Sequence, residues 1–389
     1  MNRNVWLLFC CQALLNSVMS GQVVMASLVG HALAVDKTLN TLPIAVQMVS
    51  MMCASIPASM IFARLGRKPG FWVGCCGSVI GCLTYAFGIW KGSFVLYCLG
   101  AVPAGMGWGI TQHLRFAASE VAAPDARPRA IALVLTGGVL AAIIGPEVVK
   151  RSNMLVPPLA FLGTYLCLTA LPCLAAILLF FARLPAAVRQ QGRPVPIRAI
   201  LARPTFLTAV VASMVGYGTM NLVMASTPLQ MMMCGFGIDA SADVIRMHSI
   251  AMFLPGFVTG RLIQRFGAHV IITVGGMLTL CCVVANLTLG VAFSTFIGAL
   301  MLLGVGWNFM FIGGTTLLAA AHDPHERVRV QATNDFIVFG TVAISALASG
   351  AIEAGIGWTA LNLAVVPPVL IAVALVTWHW SARARLAPA

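Results

Sequence analysis

Ala63-Arg64-Leu65-Gly66-Arg67-Lys68 and Gln264-Arg265-Phe266-Gly267-Ala268-His269 are nearly the same short loop, written twice at an offset of 201 residues. Each follows a long apolar run and precedes another. The likeness spreads outward from the loop. At the same offset Gln47 falls on His248 and Met51 on Met252. Further on, at an offset of 199, Gly105-Met106-Gly107-Trp108 matches Gly304-Val305-Gly306-Trp307. At an offset of 200, Arg127-Pro128-Arg129 matches Arg327-Val328-Arg329. Chance similarity is common in apolar sequence. Agreement of loop, glycine and tryptophan positions at a nearly constant offset is not, so one unit has been used twice.

The solvent for most of this chain is lipid. Of its 389 residues, 60% are hydrophobic and 8% charged, with a mean hydropathy of +0.96. A soluble protein needs far more polar surface to cover its exterior. The net charge of +13 does not point to nucleic acid, because the basic residues sit in short loops between apolar runs and form no single patch. The twelve cysteines lie mostly inside apolar runs and show no CxxC pair or Cys/His cluster with metal spacing. They read as small buried hydrophobes, and no metal or cofactor is expected.

A helix needs about 20 apolar residues to cross the hydrocarbon core. On that rule the sequence predicts twelve spans, near 5–29, 42–62, 71–89, 93–114, 130–149, 157–181, 205–226, 243–263, 270–289, 292–315, 330–350 and 358–380. The first is too long for the apolar core of a signal peptide and is expected to be retained. Residues 182–204 form the one long polar connection, with Arg183, Arg189, Arg193, Arg198 and Arg203 and no acid. The expected organisation is a six-helix bundle over 1–181, a linker over 182–204 and a second six-helix bundle over 205–389. Placing the N-terminus inside puts 18 of the 23 lysines and arginines on that side, as the positive-inside rule requires. An even number of spans then brings both termini to the cytoplasm.

With this loop, and with its echo Gly260-Arg261-Leu262-Ile263-Gln264-Arg265-Phe266-Gly267, the chain resembles the major facilitator superfamily. The family form of the loop is G-x-x-x-D-R-x-G-R-[RK]. Arg64, Gly66, Arg67 and Lys68 match it, while the family aspartate is replaced by Ala63 and, in the echo, by Gln264. The resemblance implies an all-α membrane protein with twelve transmembrane helices in two duplicated bundles, working as a monomer. It also implies a gating role for the loop. The residues expected to serve in gating or coupling are Arg64, Gly66, Arg67, Lys68, Arg265, His248 and Asp335. Asp335 lies early in the eleventh span and is expected to pair with Arg67 or Lys68, because a charge near lipid needs a partner or a cavity. His248 could titrate near neutral pH and take part in proton coupling.

In this superfamily the first, fourth, seventh and tenth spans line the central cavity. The first carries Gln12, Asn16 and Ser20, four residues apart and therefore on one face. The seventh carries Ser213, Tyr217 and Asn221, each 201 residues from its counterpart. The fourth and tenth add Trp108, Gln112 and His113, then Trp307 and Asn308. Aromatic faces and neutral amides suit a planar, largely uncharged ligand, although the same polar groups also serve as glue between helices. Gly145-Pro146-Glu147 resembles the antiporter signature of family exporters, but Val148 and Val149 stand where glycines normally follow. Glu147 is expected near the outer surface, paired with Lys150 or Arg151.

These features point to a secondary transporter for a small organic solute, with alternating access as its mechanism. No nucleophile–base set or metal site that an embedded enzyme would need is visible at membrane depth. Thr227-Pro228-Leu229, His248, Ala251-Met252-Phe253, Pro255 and Thr259-Gly260 are similar to a bacterial subgroup of the superfamily that includes proposed riboflavin importers. The expectation is therefore uptake of a neutral planar nutrient such as riboflavin across a bacterial inner membrane, with protons as the candidate coupling ion. Efflux of drugs or aromatic compounds by proton antiport is the alternative.

Overall fold

The computed structural model describes residues 3–123, 127–184, 197–319 and 327–386, and every element among them is helical. These residues fall into two compact units, Met1–Arg189 with Ala225–Ile250, and Gln190–Met224 with Ala251–Ala389. The first unit holds α1 (Arg3–Leu33), α2 (Leu42–Leu65), α3 (Arg67–Trp90), α4 (Phe94–Thr111), α5 (Leu114–Val121), α6 (Arg127–Ser152) and α7 (Leu162–Phe181). The second holds α8 (Ile197–Leu201), α11 (Gly256–Phe266), α12 (Ala268–Thr288), α13 (Phe293–Ala319), α14 (Arg327–Gly355), α15 (Trp358–Leu363) and α16 (Val366–Leu386). Two helices, α9 (Pro204–Met233) and α10 (Ile238–Phe253), have residues in both. Residues 225–250 thus group with the first unit, although the sequence division places them in the second half. Of the expected linker, Arg189 and Arg193 lie outside the described residues, and α8 forms a short helix within the rest.

Among the described residues, nine helical stretches are long and apolar enough to cross a bilayer. A helix satisfies most of its backbone groups internally, which hydrocarbon demands. Large apolar side chains such as Phe180, Ile344 and Trp378 stand exposed on the protein surface, a surface that suits acyl chains and not water. Several predicted spans are redrawn. The stretch 243–263 is two helices, since Pro255 has no N–H to donate to the Ala251 carbonyl and α10 ends at Phe253. The last span is α15 followed by α16, whose first turn contains Pro367 and Pro368, where a missing N–H costs little. The sixth span begins at Leu162 and not at 157, with Pro157 and Pro158 in the irregular segment before it.

The repeated loop has a repeated backbone. Gly66 has φ +88° with ψ 172°, and Gly267 has φ +84° with ψ 152°, an extended positive-φ region that is essentially reserved for glycine and costs a side chain about 1–3 kcal/mol. The Gly66 amide donates to the Phe62 carbonyl at 3.1 Å, and the Gly267 amide to the Ile263 carbonyl at 2.8 Å. Each loop therefore ends one helix and starts the next within a single residue. The two helix pairs that follow cross alike. A Cβ on Gly107 would meet the Gly74 carbonyl oxygen at 2.5 Å, and one on Gly306 would meet the Gly275 carbonyl oxygen at 2.9 Å. Only glycine lets α3 approach α4, and α12 approach α13, this closely. One short connection is braced differently. The Thr38 hydroxyl and then its amide donate to the Asp36 carboxylate and hold it below the usual carboxylate range.

Candidate functional site

In the first unit, three of the predicted contact residues meet. Asn16 Oδ1 accepts from Gln12 Nε2 at 3.1 Å and from Trp108 Nε1 at 3.1 Å. The four-residue spacing on α1 puts Gln12 and Asn16 on one face, and Trp108 reaches them from α4. Two polar atoms on this face, Gln12 Oε1 and Ser20 Oγ, are buried with no hydrogen-bond partner. Such groups are costly unless something else satisfies them. Gln112 is half-buried at the end of α4, and the His113 Nδ1 lies 3.3 Å from the Gly109 carbonyl.

In the second unit the matching surface is aromatic. The Tyr217 ring on α9 lies 5.4 Å from Trp307, 5.5 Å from Phe311 and 5.8 Å from Phe339. Trp307 stacks on Phe311 at 5.1 Å, with Phe253 edge-on at 5.9 Å. Edge-to-face and offset contacts of this kind hold rings in fixed orientations. The Trp307 Nε1 is buried with no partner. Asn221 and Asn308 do not join this group. Asn221 Nδ2 donates to the Val342 carbonyl at 3.3 Å and to Ser345 Oγ at 3.2 Å, tying α9 to α14. Asn308 Nδ2 donates to the Met252 carbonyl at 2.6 Å, and its Oδ1 accepts from Thr259 at 2.7 Å. The last-turn carbonyls of a helix lack internal donors, and Asn308 supplies one where α10 breaks before Pro255. In this structure the amides of both asparagines bond to neighbouring helices. Ser213 is buried, with its hydroxyl against Gly314.

At the loop, Arg67 forms a two-point ion pair with Glu120 of α5. Lys68 Nζ donates to the Phe180 carbonyl at 2.5 Å and lies over the Phe180 ring, so it caps the end of α7. Asp335, half-buried on α14, accepts from its neighbour Asn334 at 3.2 Å. Arg64 and Arg265 are exposed, and Arg265 lies over the Phe266 ring. In the second copy His269 stands where the first has Lys68, with its Nε2 3.0 Å from Nδ1 of His379 on α16. His248 is fully buried on α10.

A second set of charges joins the end of α6 to α10. Lys150 Nζ reaches Asp243 at 2.8 Å, and Arg151 Nε reaches Glu147 at 2.7 Å. Arg246 contacts Glu147 at 3.5 Å and also pairs with Asp243. The sequence reading put Glu147 with Lys150 or Arg151. It did not foresee Asp243 and Arg246 as partners, because they lie far along the chain. Glu120, Phe311 and Phe339 leave no local trace for the same reason.

A helical chain of apolar spans, a duplicated basic loop and paired glycine-mediated crossings define a class. The chain belongs to the Major Facilitator Superfamily, whose family model matches residues 6–340. Over 375 residues it is 36% identical to the riboflavin transporter RfnT of Brucella anthropi, covering 95% of this chain and 94% of RfnT. It is also 27% identical over 337 residues to the MFS-type transporter YddS of Bacillus subtilis, across 82% of this chain and 77% of that protein. Among solved structures, it is similar to a bacterial homologue of the human lysosomal transporter Spinster in an inward-facing, occupied conformation. That match has a TM-score of 0.73 and 15% identity, and covers 96% of this chain and 95% of the other. The human organic anion transporter MFSD10 gives a TM-score of 0.70 at 13% identity, covering 96% and 99%. At such low identity these two likenesses show the fold alone.

Proposed function

We propose that this transporter takes up riboflavin, or a closely related neutral planar solute, across a bacterial inner membrane by alternating access. The observation that carries the reading is the 36% identity to a riboflavin transporter along nearly the whole of both chains. The chemistry of the two candidate surfaces supports it. The Gln12–Asn16–Trp108 group offers amides with an unsatisfied acceptor, suited to the hydrogen-bonding edge of a flavin-like solute. The Tyr217–Trp307–Phe311 group offers flat rings and a spare indole N–H.

Twelve spans in two six-helix bundles, with both termini cytoplasmic and the chain acting as a monomer, complete the reading. In that orientation the Arg67–Glu120 pair steadies the cytoplasmic loop. The Glu147, Lys150, Asp243 and Arg246 cluster lies at the outer end, where it serves as a latch that opens once per cycle.

The test is uptake of labelled riboflavin by a riboflavin-requiring bacterium expressing the chain, with and without a protonophore. Saturable uptake that depends on expression is the expected result, and its loss with protonophore would show that protons drive it. No uptake despite confirmed membrane expression would overturn the flavin assignment and favour efflux of aromatic compounds.

A further inference from the structure

Among the acids of the described residues, Glu353 stands apart. Glu120, Glu147 and Asp243 are ion-paired, and Asp36 accepts from Thr38. Glu353 is 5% exposed, its Oε2 has no hydrogen-bond partner, and it takes part in none of the ion pairs among the described residues. The predicted eleventh span stops at 350 and leaves this residue in a loop. The structure carries α14 on to Gly355, and the membrane-competent stretch Thr333–Gly355 includes it.

Its position is fixed from below. Ser345 accepts from Asn221 at 3.2 Å, and one turn later Ser349 donates to the Leu222 carbonyl at 2.6 Å. Glu353 is the next residue at that four-residue spacing, so it falls on the face of α14 that packs on α9. Within its unit, the elements packed on α14 bring few charges. α13 and α15 carry no titratable residue, α9 carries only Tyr217, and α8 carries only Arg198. Tyr217 contacts Phe339, which precedes Glu353 by about 21 Å along the helix at 1.5 Å per residue. On α14 itself the other charged residues are Arg327, Arg329 and Asp335, and Asp335 is about 27 Å away on the same rise. An ionised carboxylate in this setting would be a buried charge without compensation, which costs far more than binding a proton.

We propose that Glu353 is the proton-carrying group of this transporter: it takes a proton from water when its end of α14, the outer end in the orientation above, is open, holds it in the state described, and gives it up on the other half of the cycle. On release the O–H bond breaks, the electron pair stays on the carboxylate, and the proton leaves to water. The reverse step at the outer end restores the neutral acid. Only the link to solute movement rests on the transport reading. The buried neutral acid stands without it.

The test has two arms. Infrared difference spectra of the purified full-length protein at neutral pH, wild type against Glu353→Gln, report the acid directly. A deuterium-sensitive carboxylic C=O band present in wild type and missing in the variant is the expected result. Spectra that match in this region would overturn the proposal. In proteoliposomes, Glu353→Gln should retain solute exchange while accumulation driven by a pH gradient falls to the exchange level. Accumulation with unchanged pH-gradient dependence would overturn the coupling role. Glu353→Asp, which keeps the acid, should restore the band and part of the accumulation. If riboflavin is not the solute, the vesicle arm goes silent for wild type as well, while the infrared arm still decides whether Glu353 holds its proton.

Discussion

The two tryptophans at matching places in the repeat, Trp108 and Trp307, have taken opposite roles. Trp108 spends its indole N–H on Asn16 at 3.1 Å in a hydrogen-bonded group of amides. Trp307 keeps its N–H unpartnered and packs its faces against Tyr217 and Phe311. The loops differ in the same way. Both turn on a positive-φ glycine, yet the first holds Glu120 and the Phe180 carbonyl while the second holds His379. The two matching stretches share a backbone where glycine, helix crossing and loop length require it, while the side chains around them differ. The group around Trp108 is hydrogen-bonded, and the group around Trp307 is packed ring on ring.

The largest effect expected from breaking this contrast is at Trp307. Trp307→Ala removes the ring that contacts Tyr217, Phe253 and Phe311. Riboflavin affinity should fall at least tenfold, about 1.4 kcal/mol, as read in uptake kinetics. Trp307→Phe keeps a ring and removes only the N–H, so a smaller loss is expected, and the difference between the two variants measures the indole hydrogen bond. Asn16→Ala comes next. It strands Gln12 Nε2 and Trp108 Nε1, each left without the acceptor that now satisfies it, at about 1–3 kcal/mol for a buried orphan. Transport should weaken and the melting temperature should drop. A third comparison sets Gly66→Ala against Gly267→Ala. Because the two backbones match, both should destabilise by about 1–3 kcal/mol in thermal unfolding, despite the different side chains around them. The smallest effect is at the partly exposed ion pairs. A double-mutant cycle on Lys150 and Asp243 should give a coupling of about 1 kcal/mol or less, read from the salt dependence of uptake.

Much of this was legible in the sequence because it depends on local pattern. Hydropathy located the helices, and the repeated loop gave the class. The four-residue spacing put Gln12 and Asn16 on one face. Breaks in helices were harder to see. Pro255 ends a helix, yet Pro57, Pro103, Pro146, Pro172 and Pro228 sit inside helices that continue, because neighbouring groups in a membrane bundle can absorb the lost hydrogen bond. Partner choice does not follow the offset either: Asn221 matches a residue on the polar stripe of α1, and its amide donates to Val342 and Ser345 of α14. Partners distant in sequence, such as Glu120 for Arg67 or Asp243 for Lys150, leave no local trace. Glu353 did leave one, a single acid in a run of Ala, Ser and Gly, and it was hidden only by the estimated end of the span.

The most direct test of the central claim is a fluorescence titration of riboflavin with the purified protein. Stacking against indole and phenol rings should quench the flavin emission. The account predicts saturable quenching by wild type that is lost in Trp307→Ala and kept in a Lys150→Ala control of normal stability. Quenching that Trp307→Ala leaves unchanged, or no saturable quenching by wild type, would contradict it.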